Sequence, residues 1–208
     1  MNYYLLLIIL IFLEVCPTFG QNLFVETKSG FAFVDNEREN YSNVSYIPWN
    51  ISLGFGVKNF QLGGDLIFSP LPQTYLFNDE FTNKQRVRQE VEETYYGGFL
   101  RFNSSYEPES ITGFVLKVGM GILNSTEATY ALPSNLKSNE IDYLPSIQYL
   151  GEIGLSIPLR KIVHIYTGYG INYANKELTL NDIQIETYRQ IKHIIQIGLS
   201  VNLNFQKY

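Results

Sequence analysis

The chain has very little cysteine and no excess of positive charge. Its single cysteine, Cys16, lies near the amino terminus, so the rest of the 208 residues cannot form a disulfide. Lys and Arg number 15 against 20 Asp and Glu, which gives a formal net charge of -5. Because basic patches supply most of the affinity for nucleic acid, this balance argues against a nucleic-acid partner.

Long hydrophobic runs are also missing. The mean hydropathy is -0.06, and no apolar run reaches the roughly 18 residues that a membrane-spanning helix needs. The strongest run covers residues 3–13 and ends at Glu14 and Pro17, before Thr18, Phe19 and Gly20. This layout predicts a secretory signal peptide over residues 1–20, with a single mature domain over residues 21–208.

Motifs for catalysis, metals and cofactors are absent from the sequence. There are only two histidines, His164 and His193, with no His/Cys metal spacing, no glycine-rich phosphate loop and no Ser/His/Asp motif. His193 is the one candidate base near a strand end, but isoleucines stand two residues away on either side, where a nucleophile would be sought. We therefore expect neither an enzyme nor a cofactor.

Aromatic residues and glycine are abundant instead, with 16 Tyr, 14 Phe and 16 Gly, and they occur in alternating segments. Residues 195–205 alternate Ile, Leu, Val and Phe with Gln, Gly, Ser and Asn. Because successive side chains of a strand point to opposite faces, one face is apolar and the other is polar. That alternation is longer than a soluble strand needs, and it matches the roughly 9 to 11 residues of a strand that crosses a bilayer.

The same period of two recurs along the mature chain. It predicts eight strands, at about residues 22–34, 46–58, 60–69, 91–102, 111–123, 143–157, 162–173 and 191–205. Short links at residues 58–59, 103–110 and 158–161 alternate with long ones at residues 35–45, 70–89, 124–141 and 174–188. This order is typical of a membrane barrel with both termini on the short-turn, periplasmic side. The predicted fold class is an all-β, eight-stranded, antiparallel, up-and-down transmembrane β-barrel.

A soluble ligand-binding barrel of the lipocalin type has the same strand count, and a β-sandwich is the other all-β alternative. The polar face here consists mainly of Gly, Ser, Asn and Gln, which suits a crowded lumen better than a water-exposed surface. The apolar face would be a very large patch in water but is the correct surface in lipid. Aromatic residues near strand ends suggest interfacial girdles, and these are Tyr46, Trp49, Tyr95, Tyr96, Tyr143 and Tyr173.

In its leader and its eight alternating segments the chain resembles the small bacterial outer-membrane β-barrel proteins. The resemblance implies a cell outer-membrane location in a Gram-negative bacterium, a monomer, and contact with outer-membrane lipid. It also implies recognition by the outer-membrane assembly machinery through a terminal aromatic residue. That residue is either Phe205, which is in phase with the lipid-facing positions, or the terminal Tyr208, which is not.

Charged residues also occur among the positions that alternation predicts to face the lumen. Because an isolated buried charge is costly, we expect them to form a barrel-interior charge network. Its members are Glu26, Lys28, Asp65, Glu93, Arg101, Lys117, Glu152 and Lys192. A polar conduit is the alternative interpretation of the same residues.

The leading functional hypothesis is a structural or surface-interaction role, in which long loops display an adhesive surface to an extracellular ligand. The alternative is a narrow, porin-like pore or transport channel. A lipid-modifying barrel enzyme or a soluble ligand-binding barrel is the weaker alternative.

Overall fold

The computed structural model describes residues 22–36, 44–57, 59–78, 86–104, 112–131, 136–160, 162–180 and 183–204. They form eleven strands: β1 (Asn22–Asn36), β2 (Val44–Tyr46), β3 (Trp49–Val57), β4 (Phe60–Phe68), β5 (Gln73–Asn78), β6 (Arg86–Asn103), β7 (Gly113–Ala131), β8 (Leu136–Asp142), β9 (Ser146–Arg160), β10 (Val163–Leu180) and β11 (Ile183–Asn204). No helix in this part of the chain is long and apolar enough to cross a membrane.

Eight of the strands close into a ring in which every neighbouring pair is antiparallel. The order around the ring is β1, β3, β4, β6, β7, β9, β10 and β11, and β11 pairs with β1 from Asn204 opposite Asn22 to Gln190 opposite Asn36. The predicted fold class is confirmed. Closure leaves no unpaired strand edge along the ring, which is the condition for crossing lipid with strands.

Side chains alternate between a lipid-facing belt and the lumen. On β7 the outward residues from Phe114 to Ile122 are all exposed, with Val118 at 59%, whereas Val115 and Lys117 are buried. A similar outward row begins at Trp49 on β3, and another ends at Leu203 on β11. The exposed rows match the roughly 9 to 11 residues of a tilted bilayer-spanning strand. We call this surface the apolar belt.

The two ends of the ring differ. At the short-turn end, Val57 pairs with Phe60 and Arg160 pairs with Val163, so only two residues separate β3 from β4 and β9 from β10. The predicted turn at residues 158–161 is therefore placed too early, because β9 continues to Arg160.

At the opposite, long-hairpin end, the prediction of long loops is wrong for the described residues. Strands β6, β7, β10 and β11 continue past the apolar belt, and β2, β5 and β8 are additional strands. Beyond the ring, β2, β1, β11 and β10 form one sheet, and β5, β6, β7 and β8 form another. We call them the first lobe and the second lobe. The tips of most of these hairpins lie outside the described residues.

Candidate functional site

The eight charged residues predicted for the lumen are all buried, at 1–8% exposure. Strand alternation turns each of them inward, because the residues directly before and after it on the strand face outward. The structure divides them between two clusters at different heights. Six lie at the level of the apolar belt, and Glu93 and Lys192 lie toward the long-hairpin end.

The lower cluster contains three cations and three anions. Lys28 Nζ donates to both carboxylate oxygens of Glu152, at 2.6 and 2.8 Å, and lies 3.0 Å from Glu26 Oε1. Arg101 Nη2 lies 3.0 Å from Glu26 Oε2. This chain of contacts crosses the lumen, since Lys28 is on β1, Glu152 on β9 and Arg101 on β6.

A second pair in the lower cluster joins β4 to β7. Lys117 Nζ lies 2.6 Å from Asp65 Oδ2 and donates to Asp65 Oδ1 at 2.7 Å. Ser52 on β3 also donates to Asp65, at 2.6 Å. All three side chains are buried, so the carboxylate is held by a cation and a hydroxyl from two different strands.

Large aromatic rings fill the remaining space around the lower cluster. Tyr166 and Phe24 have no exposed surface. The ammonium of Lys28 lies 4.7 Å from the centre of the Tyr166 ring, and that of Lys117 lies 4.1 Å from the centre of the Phe99 ring. These contacts are favourable for desolvated cations. The sequence suggested a lumen face of small polar residues, whereas the lumen also holds these bulky side chains.

Inward glycines make room for the rings. An added Cβ at Gly154 or Gly168 would collide with the hydroxyl of Tyr166, and one at Gly54 would collide with the Phe24 ring. The glycines therefore allow the rings to lie against the barrel wall. The interior at this level is packed, as expected for eight strands, whose lumen is just wide enough for side chains to fill.

The upper cluster is centred on Glu93. Both Lys176 and Lys192 donate to its carboxylate, and so does the side-chain amide of Gln73. Glu93 lies beyond Tyr96, the outermost aromatic residue of the apolar belt on β6. Burial would raise the pKa of Glu93, but the two ammonium groups outweigh burial and hold that pKa well below its ordinary value. The carboxylate therefore stays ionised at neutral pH.

The upper cluster joins the two lobes. Glu93 and Gln73 belong to the second lobe, whereas Lys176 is on β10 of the first lobe and Lys192 is on β11. Tyr143, which follows β8, donates to Glu127 at 2.6 Å and packs edge-on against Tyr188 of β11, with ring centres 6.1 Å apart. A cavity of about 10 Å³, with room for about one water, lies beside Glu93 and Lys192.

Three members of the upper cluster were missed by sequence reasoning. Gln73, Glu127 and Lys176 lie in segments that had been predicted as loops. Lys176 continues the inward series of Gly168, Gly170, Asn172 and Ala174, so extending the period of two past Tyr173 would have found it.

The predicted aromatic girdle is only partly correct. Trp49 and Tyr96 are exposed on the outer face, and Tyr173 lies half-buried on the same face. Tyr95 and Tyr143 are instead buried inside, at 1% and 6% exposure. Tyrosine suits both places, because its ring is apolar and its hydroxyl can reach a polar partner.

The two histidines lie apart. His193 is on the outer face, where its Nδ1 lies 2.5 Å from the hydroxyl of Tyr169 and its ring stacks on that tyrosine. His164 is buried in the lumen, with its Nδ1 3.2 Å from Ser156 Oγ. Neither pair provides an accessible nucleophile with an orienting carboxylate among its described contacts. The residues that the structure describes also contain no group of three His, Cys, Asp or Glu suited to a metal.

Two solved structures share this architecture. Neisserial surface protein A matches with a TM-score of 0.60 over 86% of this chain and 96% of its own, at 12% identity. The fold is that of the small outer-membrane β-barrels. The outer-membrane protein AlkL, solved in lipid bilayers, matches with a TM-score of 0.51 over 91% of this chain and 94% of its own, at 13% identity. No protein-family model and no curated sequence matches the chain.

The apolar belt and this fold place the protein in the outer membrane of the cell. The belt is a continuous lipid-compatible surface, and the ring satisfies the strand hydrogen bonds within it. The likeness concerns the fold, because identities of 12% and 13% are too low to transfer a role.

Proposed function

We propose that the protein is a sealed, non-catalytic barrel that holds two β-sheet lobes at the cell surface for contact with an external ligand or surface. The observation that carries this proposal is the combination of a packed lumen with strands that extend well beyond the apolar belt. A pore would instead require an open lumen, and it would not require sheets that extend beyond the membrane.

The lobes differ from flexible loops in a way that supports recognition. Strand β10 pairs with β11 as far as Leu180 opposite Ile183, and β6 pairs with β7 as far as Val87 opposite Ala131. The Glu93 cluster ties the two lobes together at their base. Ordered lobes lose less conformational entropy when they bind a ligand than loops would, which favours affinity.

The remaining features of the proposal follow from the chain's organisation. Residues 1–20 serve as the signal peptide, and residues 21–208 form one barrel domain that acts as a monomer, because its ring is complete without a partner. The assembly machinery reads Phe205 or Tyr208, both of which lie outside the described residues. The long-hairpin end faces the exterior, with the termini on the periplasmic side.

A binding experiment with intact cells tests the surface role. Residues 79–85, at the tip between β5 and β6, are replaced by Asn-Gly, a turn that preserves the pairing of Asn78 with Arg86. We expect binding of the expressing cells to extracellular matrix or host cells to fall to background, while the barrel keeps its heat-modifiable migration on gels.

The matched control removes residues 105–110 at the opposite, short-turn end. This variant should bind as well as the parent protein. Binding that is unchanged in the variant with the Asn-Gly replacement, or that is lost equally in both variants, would count against display by the lobes.

A narrow pore is the weaker proposal, because ion pairs and rings fill the described lumen. A soluble barrel is opposed by the exposed apolar belt, and resistance of the membrane-bound protein to carbonate extraction would exclude it. The surroundings of His193 do not support a lipid-modifying activity. Detection of an acylated or deacylated lipid product after incubation with the purified protein would be the evidence for one.

A further inference from the structure

The first lobe has an open strand edge. β9 and β10 pair up to Gln148 opposite Ala174 and then diverge. Beyond that point β10 is paired only with β11, as far as the described residues show. β8 stands on the other side of the gap and is paired only with β7 within the same described part of the chain. A seam with two unpaired strand edges therefore separates β10 from β8.

A groove of about 360 Å³ lies at the base of this seam, on the outer surface where β9 and β10 diverge. One wall consists of Leu144, Ser146 and Ile147, and the other consists of Asn175 and Glu177. At the floor, the rings of Tyr149 and Tyr173 lie 6.5 Å apart, and the hydroxyl of Tyr173 donates to Asn175 Oδ1 at 2.9 Å. The groove is apolar at its base and polar at its upper end.

An unpaired strand edge presents a row of main-chain donors and acceptors. Natural sheets usually cover such an edge or blunt it, because it is a template for another strand. Here the edge stands beside a groove at the outer rim of the apolar belt. Its outward residues Asn175 and Glu177 are polar and exposed, so the edge itself stands in water. Lipid tails cannot satisfy main-chain hydrogen bonds, whereas an extended peptide satisfies them by joining the sheet.

We propose that the edge of β10 at residues 175–177 binds an extended peptide segment of a partner protein by strand addition. This inference rests on the proposed surface-recognition function and specifies how the first lobe carries it out. The peptide's main chain pairs with β10, and its side chains enter the groove between β9 and β10.

The outer face of β10 also indicates which peptide side chains fit. Tyr173, Asn175 and Glu177 share that face, since they alternate along the strand. Side chains directly opposite each other on paired strands interact, and opposite charges are favourable. The bound segment therefore carries a polar residue opposite Asn175 and a basic residue opposite Glu177. Its apolar end residue lies against the rings of Tyr149 and Tyr173 at the groove floor, because Tyr149 of β9 already stands opposite Tyr173.

The test uses the full mature barrel in lipid nanodiscs and a fluorescein-labelled heptapeptide, Thr-Thr-Ser-Lys-Thr-Thr-Val. When this peptide runs antiparallel to β10, its lysine stands opposite Glu177, its sixth residue stands opposite Asn175, and its terminal valine reaches the groove floor. Two further peptides have the same side chains but are N-methylated at the odd or at the even positions. Only alternate N–H groups of an added strand point toward the edge and donate to it. Methylation at one set of alternate positions should therefore weaken binding by about tenfold or more, and methylation at the other set should leave it unchanged. Binding should also slow amide exchange in β10 at residues 175–180.

A charge reversal tests the side-chain preference. Glu177→Lys should weaken binding of the heptapeptide by about threefold or more, since it turns an attraction into a like-charge contact. Glu92→Lys is the matched control, because Glu92 is an exposed carboxylate on β6 of the second lobe. This variant should bind the peptide as tightly as the parent protein does.

Equal binding of the two methylated peptides, or no saturable binding of the unmodified one, overturns strand addition. If strand addition fails while cell binding still depends on residues 79–85, the surface-recognition function stands without this mode of binding. Loss of that dependence together with a conducting barrel would reject the proposed function itself.

Discussion

Lys117 and Asp65 show how a charge is accommodated in this lumen. Both side chains are buried, and the ammonium contacts both carboxylate oxygens while Ser52 supplies a further hydrogen bond. Desolvation of two such groups is costly, so the pair contributes little net stability, but an unpaired member costs several kcal/mol. The pair therefore fixes the packing of β3, β4 and β7 more than it adds to the free energy of unfolding.

Lys117→Met should lower the free energy of unfolding by about 3–5 kcal/mol, because it leaves the Asp65 carboxylate buried without a cation. The double variant Lys117→Met with Asp65→Asn should recover most of this loss, since the amide keeps a partner in Ser52. Urea titration of the barrel in lipid vesicles, followed by the fluorescence of the single tryptophan, Trp49, measures both. Equal stability of the single and double variants would contradict the pairing.

At the residue scale, the sequence predicts which charges face inward but not their partners. Alternation alone assigns Glu26, Lys28 and Glu152 to the lumen. Lys28 and Glu152, however, are 124 residues apart in the chain and meet across the lumen, at a place set by strand order and register. A period of two specifies a face, and it does not specify which strand lies opposite.

At the element scale, the strands extend further than their amphipathic segments. Outside lipid both faces of a strand can be polar, so the alternation that marks the membrane segment ends while the strand continues. On β10 the outward residue changes from Tyr173 to Asn175 and then to Glu177, and the sequence therefore resembles a loop. This is why the ring could be predicted and the two lobes could not.

The Glu93 cluster should hold the lobes in place. Glu93→Gln removes the charge that Lys176 and Lys192 share, and hydrogen bonds to charged groups contribute about 1.5–3 kcal/mol each. We expect amide exchange in β10 at residues 175–180 to accelerate by about tenfold or more, because opening of the first lobe becomes less costly. Hydrogen-exchange mass spectrometry of the barrel in nanodiscs measures this change.

The neighbouring Glu92→Gln serves as the control, since Glu92 is exposed on the outer face of the same strand. Its exchange pattern should match that of the parent protein. Acceleration of similar size in both variants would mean that a general loss of charge on β6, and not the Glu93 cluster, controls opening of the first lobe.

At the scale of the whole molecule, the fold has three parts in different surroundings. The apolar belt faces lipid, ion pairs and aromatic rings pack the described part of the lumen at the level of the belt, and the two lobes stand beyond the belt. The belt and the ring follow from sequence patterns, because lipid imposes both alternation and closure. The packing of the lumen does not, because it depends on rings such as Tyr166 and Phe24 that fit over particular glycines.

Single-channel recording in planar lipid bilayers tests most directly whether this outer-membrane barrel is sealed, as we propose. We predict that the purified mature protein, inserted in its heat-modifiable form, gives no current steps above the leak of the lipid alone. Lys117→Ala should stay silent as well, because Phe99, Tyr166 and the Lys28–Glu152 pair still fill the lumen. Reproducible steps from the parent protein that change in size with Lys117→Ala would contradict the sealed barrel and support the pore.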